Sequence, residues 1–446
     1  MAGAACRLPL RVITRRSAVT RSGEGPIAIG AASWASKNAS TVTYFMSAIT
    51  RILVKCPTEA PVPRAHLLEP NMLRAGIIGL GKMGLSHQSM VNAHPEIQLM
   101  AVCDSSTYIL DVLSKYTGVK TYTNYKEMLD KEPLDCVFIA TPSKYHVEIV
   151  AAALDRNLHV FCEKPFGLEP QSALQLASVA AQKHLVNQVG YHYRFVAAFN
   201  EAKRLLDLNI LGKLHHVRAE AYGPVVVRPK GSTWRSQKSE GGGCLFDYAC
   251  HAIDLVNYLV GRPIAVSGTV FNSVFSKDVD DEIYSTLHFS DGFHGQLATN
   301  WSDESFRKMS VKLSFWGTNG RINVDRQEIQ IYLRSLPAAD LGGFVKGWNV
   351  RYTTELTRPV WFYVRGEEYS AQIDHFVQTI KSGGTTISSF QSASDTSIVA
   401  AMMREDATKP HTAFERSATN QPSAGGMESQ AQTVGSRLRK FFGRAK

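Results

Sequence analysis

Three groups of residues in this 446-residue chain have the types and spacing that chemistry needs. The first is Gly79-Leu80-Gly81-Lys82-Met83-Gly84, a G-x-G-x-x-G run set directly after the apolar stretch Ala75–Ile78. There the first glycine permits a tight turn, the second lets a diphosphate approach the backbone, and the third lets the following helix pack on the strand. The diphosphate would rest on the helix N-terminus, where unpaired N–H groups and the helix dipole favour an anion. Asp104 ends the next apolar stretch twenty residues past Gly84, a position from which an acid can bond the adenosine ribose hydroxyls. A carboxylate there repels the 2′-phosphate of NADP, and Ser105 and Ser106 follow it without an arginine. NAD is therefore the expected dinucleotide, with NADP less favoured.

The second group lies at the ends of two further apolar stretches, the carboxyl edge where open α/β sheets bind ligands. Thr141, Pro142 and His146 end one, and Glu163-Lys164-Pro165 ends the other. All five of Thr141, Pro142, His146, Glu163 and Lys164 are expected to face the cofactor. His146 reads as a helix-start residue facing solvent or cofactor, and Lys164 as a side chain able to point over the nicotinamide ring. An isolated lysine at such a place would be read as a solvated loop residue. The third group is Asp247-x-x-x-His251-x-x-Asp254, following Gly241-Gly242-Gly243. On a helix these three titratable groups share one face. Spacing alone leaves two readings open, a catalytic constellation or an exposed polar face with a satisfied histidine.

The elements that must hold these groups follow from hydrophobic periodicity. From Leu73 to Gly190, short apolar runs (Ala75–Ile78, Gln98–Cys103, Lys120–Thr123, Cys136–Ala140, His159–Cys162, Val186–Val189) alternate with helical patterns. That alternation indicates βαβ units and a doubly wound parallel sheet, a Rossmann domain over residues 72–190. After residue 214 the runs His215–Tyr222, Ala265–Val274, Glu282–Phe289, His294–Trp301, Val311–Trp316 and Ile329–Leu333 are joined mainly by turns. The expectation is an α+β domain over 191–403 with a large open, mostly antiparallel sheet. Helices are expected at Gly242–Leu259 and Glu367–Ile380.

Charge narrows the function classes. Of the formal net charge of +10, residues 1–71 hold nine Lys/Arg against three acids, and residues 404–446 eight against four. The body between them carries 32 basic and 32 acidic side chains, so nucleic acid is not an expected partner. No run reaches the ~18–20 apolar residues of a membrane span. Seven cysteines without a C-x-x-C pair read as reduced thiols, with no metal site expected. The acid-poor, Arg- and Ser-rich residues 1–71 read as a disordered leader or over-called start, a transit peptide, or an export signal, in that order. Residues 404–446 read as a disordered basic tail. A cytoplasmic location is expected, or an organelle or the periplasm if the leader is a targeting segment.

Taken together and in order, GLGKMG, Asp104, ATPSKYH, EKP, TWRSQKSEGGG and DYACHAID resemble the glucose–fructose oxidoreductase/inositol dehydrogenase/MocA family over residues 72–403. The resemblance implies a Rossmann domain, an open-sheet second domain, and an active site between them. It maps the catalytic lysine onto Lys164, and the aspartate and histidine of the second motif onto Asp247 and His251. It also implies a homo-oligomer formed through the C-terminal sheet. One departure is Tyr193, which stands where many members carry the first of two arginines, so inositol specificity is not carried over. The implied activity is NAD-dependent oxidation of a secondary hydroxyl of a sugar, cyclitol or nucleotide-sugar. His251 is the natural base and Lys164 the donor to the reacting oxygen, with Asp247 orienting substrate or tuning the imidazole. Tyr193, Trp234 and Arg235 are expected to line the substrate site. Alternatives are an NAD-dependent glycosidase using transient oxidation, a dehydrogenase of a non-sugar such as a trans-dihydrodiol or tetrapyrrole, and a non-catalytic NAD-binding regulator.

Overall fold

The structure, a computed structural model, describes residues 72–227, 234–336, 343–363 and 366–409. The readings of residues 1–71 and of most of the C-terminal tail lie outside the described residues. The first lobe runs β1 (Leu73–Ile78), α1 (Lys82–Ala93), β2 (Ile97–Cys103), α2 (Thr107–Thr117), β3 (Lys120–Tyr122), α3 (Tyr125–Lys131), β4 (Cys136–Ile139), α4 (His146–Asp155), β5 (His159–Cys162), α5 (Pro170–Gln182) and β6 (Asn187–Val189). Its six strands are all parallel in the order β3-β2-β1-β4-β5-β6. β1 and β4 carry continuous apolar runs because helices cover both faces of such a sheet, and every residue of β4 is buried. The order reverses between β1 and β4, so the turns after these strands open onto the crevice where such sheets bind ligands.

The second lobe adds α6 (Ala197–Asp207), β7 (Leu214–Tyr222), a π-helical turn (Leu245–Ala249), α7 (Cys250–Val260), β8 (Ala265–Asn272), β9 (Glu282–His288), β10 (His294–Asn300), β11 (Ser310–Gly317), β12 (Gly320–Asp325), β13 (Glu328–Leu333) and β14 (Gly347–Tyr352). Its eight strands lie in the order β14-β13-β12-β11-β7-β10-β9-β8. Every pairing is antiparallel except β7 with β10, so the sheet is mixed but mostly antiparallel. Alternate residues of β7 and β10 point into a core shared with α6 and α7, where Val217, Ala219, Leu297, Phe199 and Leu255 are buried.

The last two helices among the described residues are α8 (Glu367–Ser382) and α9 (Phe390–Asp406). α8 departs from the expected 191–403 domain, because Ile373, Phe376 and Val377 share a core with Ile77, Phe138 and Phe161 of the first lobe. It lends the parallel sheet an outer layer. α9 packs against α5, α7 and β8 and so bridges both lobes. It also continues past the boundary expected at residue 404. Asp406 there accepts the Thr269 N–H at 2.8 Å, and Arg404 bonds the Leu168 carbonyl at 3.3 Å.

Candidate active site

The cofactor edge is built from the turn after β1. Gly79 has φ +92°, and a Cβ on it would fall 2.7–2.8 Å from the Ala140 and Thr141 backbone. A Cβ on Gly84 would lie 1.8 Å from the Gly79 carbonyl oxygen. Gly84→Ala is therefore expected to force the turn open and abolish NADH binding in any folded fraction, read by fluorescence titration. The Asp104 carboxylate fastens the turn from the neighbouring strand. It accepts the Leu80 N–H at 2.6 Å and the Ser106 N–H at 2.8 Å, and its remaining lone pairs stay available for a ribose. The Leu80 side chain is buried in the core, so only its backbone serves the turn.

These features fit a dinucleotide. Gly81 caps α1 with extended backbone, a Cβ there would meet nothing within 4 Å, and no acid occupies the first turn of the helix. Lys82 is exposed and Met83 half-buried beside it. The Thr141 Oγ1 is buried against the same turn without a hydrogen-bond partner. Pro142 opens the short helical turn Ser143–Tyr145. His146 differs from expectation. The residue is 1% exposed, and its ring nitrogens lie 2.9 Å from the Pro165 and the Thr141 carbonyl oxygens, so it sits between two cofactor-edge loops, donating to one of these carbonyls, rather than facing solvent.

The chemistry edge begins at Glu163 and Lys164, directly after β5. The Lys164 Nζ reaches the second lobe and donates to the Asp247 carbonyl at 3.0 Å and to its carboxylate at 3.2 Å. Arg235 donates to the same carboxylate through Nε at 2.7 Å, with its guanidinium over the Trp234 ring. Burial works to lower the Lys164 ammonium, but the charge and hydrogen bond of Asp247, together with Cys250, hold the group above its usual value. Burial likewise works to raise the Asp247 carboxyl, and Lys164 and Arg235 overcome it, so it stays below the usual carboxylate range.

His251 stands next to this pair. Tyr191, His192 and Tyr193 surround its ring at centroid distances of 6.0, 5.1 and 5.3 Å. Its Nδ1 is buried without a partner. Burial, then the positive charge of Lys164, then His192 push the imidazole well below its ordinary value, so it is neutral at pH 7. An ammonium from the first lobe and a neutral imidazole from the second thus act on each other across the lobes.

The Asp247–His251–Asp254 pattern does not behave as one regular helical face. Residues 245–249 form a π turn, with the Cys250 N–H bonding the Leu245 carbonyl, and α7 starts only at Cys250. Asp254 serves another purpose. It forms a bidentate pair with Arg194 at 2.9 and 2.6 Å, both side chains 1% exposed, and Arg194 also donates to the Ile387 carbonyl and Ser392. That pair pins the helix bearing His251 to the loop before α9. Spacing alone gives Arg194 no role, although an arginine set between Tyr193 and Phe195 is the sequence signal for a buried ion pair. Tyr193 is buried, with its ring edge on His251.

A cavity of about 550 Å³ beside α6 and α7, lined by Lys203, Asp207, Lys213, Asn257 and Tyr258 among others, shares none of these residues. Among the described residues no three His, Cys, Asp or Glu side chains are grouped to hold a metal, and no helix is long and apolar enough to cross a membrane.

The buried imidazoles make stability depend on pH. Burial is the first cause lowering His94, His146, His159, His251 and His375. An unfolded imidazole takes up its proton near pH ~6.5, whereas these resist until the pH is lower. Between the two values the unfolded chain binds more protons, so stability falls as the pH drops below about 6.5 and is retained above it. Urea midpoints at about pH 7.5 and about pH 5.5 check this, the lower being expected at the acid value.

A dinucleotide-type parallel lobe whose Lys164 meets Asp247 beside His251 is the arrangement expected of an NAD-binding oxidoreductase. Residues 73–191 match the oxidoreductase family with NAD-binding Rossmann fold known as GFO/IDH/MocA, and residues 199–323 match the GFO/IDH/MocA C-terminal domain. The chain belongs to this family. It is 28% identical to the levoglucosan dehydrogenase of Pseudarthrobacter phenanthrenivorans over 309 residues, covering 61% of this chain and 79% of that protein. It is 25% identical to the 2,7-anhydro-N-acetylneuraminate hydratase of Escherichia coli over 289 residues, covering 64% of this chain and 74% of the relative. Among solved structures, GenD2 from gentamicin A biosynthesis in complex with NAD matches with TM-score 0.61 and 25% identity, covering 78% of this chain and 97% of that one.

Proposed function

We propose that this protein oxidises a secondary hydroxyl of a sugar, cyclitol or nucleotide-sugar, using NAD in preference to NADP. Bound NAD would supply the hydride acceptor at nicotinamide C4. The chain supplies everything else. The observation that carries the reading is the pairing of a lysine kept charged beside the Asp247 carboxylate with a histidine kept neutral by burial. Lys164 can only donate, so it hydrogen-bonds the reacting oxygen and stabilises the negative charge that develops there. His251 can accept, and it takes the hydroxyl proton as the carbon loses its hydride. Asp247 fixes the lysine through two oxygens, its carbonyl and its carboxylate. Arg235 pairs with the same carboxylate and stacks over Trp234, and the two are read as the wall of the substrate site, with Tyr193 behind His251 as its support.

Gly79, Gly81 and Gly84 would admit the diphosphate. Asp104 stands where the 2′-phosphate of NADP would need a cation, which is why NAD is preferred. The sugar class draws support from the levoglucosan dehydrogenase relative. The test is a panel of anhydrosugars, hexoses, inositols and nucleotide-sugars assayed by NADH absorbance with each dinucleotide. The expected result is NADH formed in proportion to one substrate class. The hydratase relative favours a second reading, in which oxidation is transient and the hydride returns to product. Product formation without net NADH would select that reading over the first.

We also read the outer face of the eight-stranded sheet as a self-association surface, since Tyr284, Tyr332, Trp348 and Val350 are exposed on it. Light scattering that gives a monomer mass would remove this reading.

A further inference from the structure

We propose that His87, on the helix that receives the diphosphate, is a positioning residue that aims the Glu163 carboxylate at the nicotinamide riboside of NAD. The inference rests on the reading that this end of NAD lies over Lys164. His87 is fully buried, with Nε2 2.6 Å from Glu163 Oε1. Its ring meets Phe161 edge-on at 5.1 Å and lies 6.2 Å from Phe138, and Nδ1 is buried with no partner. A phenylalanine would fill that aromatic box without leaving a polar atom unpaired. What the imidazole adds is a single hydrogen bond, and Glu163 receives it.

The carboxylate is arranged for a ligand on its other side. Glu163 and Lys164 are consecutive at a strand end, so their side chains leave in opposite directions, Glu163 toward α1 and Lys164 toward Asp247. The second oxygen of Glu163 lies over the bare Cα of Gly190, where a Cβ would stand 2.9–3.1 Å from the carboxyl atoms. Among the described residues no donor pairs with that oxygen, and Glu163 keeps 8% of its surface exposed. A carboxylate held at one oxygen and reachable at the other is an acceptor for donors of fixed position. The nicotinamide riboside carries such donors, two ribose hydroxyls and a carboxamide N–H₂. One helix would therefore read both ends of the cofactor, its N-terminus the diphosphate and His87, through Glu163, the riboside.

The experiment compares NADH with ADP, which keeps the adenosine and diphosphate but lacks the nicotinamide riboside, on the full chain by fluorescence and calorimetric titration. His87→Phe removes the hydrogen bond, and Gly190→Ala displaces the carboxylate while leaving His87 intact. Each is expected to weaken NADH by about tenfold while ADP stays within about twofold. Glu163→Gln should behave as they do. Should His87→Phe not fold, Gly190→Ala carries the comparison. Weakening of NADH and ADP alike, or no weakening of either, overturns the role of His87. Wild-type protein that binds NADH no better than ADP contradicts the placement of the riboside itself.

Discussion

Replacing His251 with alanine is expected to lower kcat by about 10²–10⁴ while NADH binds as before, because a positioned base supplies rate and not cofactor affinity. The structure sharpens this expectation beyond simple loss. The imidazole is buried beside a positive charge, so it stays neutral well below pH 6.5. A base must be neutral to accept a proton. The acid limb of kcat/KM in the wild type should therefore lie below the pH at which a free histidine titrates, and His251→Ala should abolish that limb together with the rate. Near-wild-type turnover in the variant, or a wild-type limb above pH ~6.5, would take the proton away from this residue.

Lys164→Met carries the second large effect, a loss of about 10²–10³ in kcat, the size seen when one donor to a developing oxyanion is removed. The fold should survive, because Arg235 still pairs with Asp247 through Nε at 2.7 Å and the carboxylate is not left alone. A second signature separates this variant from general damage. Lys164 depresses the His251 imidazole, so removing its charge lets that residue bind a proton more readily. Residual activity should show an acid limb displaced toward higher pH. A limb that does not move would mean the two groups are not close neighbours during turnover.

The central parallel strands were legible as short apolar runs ending at a glycine, an acid or a loop motif, whereas β3 (Lys-Thr-Tyr) and β6 (Asn-Gln-Val) were placed by the strand–helix alternation around them. The strand ends that carry Asp104 and Lys164 were legible for the same reason. Other elements left no such mark. β14 is an edge strand, and Gly347–Tyr352 buries no residue fully, so it lacks the alternation that identifies a half-buried strand. α9 packs against elements of both lobes, so its buried residues, among them Phe390, Ser394, Ser397 and Met403, are spread around the helix with no single apolar stripe. β12 follows β11 through Thr318 and Asn319, and the two-residue hairpin was readable only as a turn. The π turn could not be foreseen, because helical spacing assumes a fixed rise. It is that turn which separates Asp247, facing Lys164, from Asp254, buried against Arg194. His87 was likewise invisible as a functional candidate, since a histidine on an α/β helix gains meaning only when Glu163 is seen beside it.

The most direct measurement follows the hydride. A substrate from the responding class, deuterated at the carbon that bears the reacting hydroxyl, is incubated with the protein and NAD, and both products are examined by NMR. The account predicts deuterium at C4 of the reduced nicotinamide, in amount equal to the ketone formed. Deuterium retained in the sugar product or lost to water, with no labelled NADH, would contradict it.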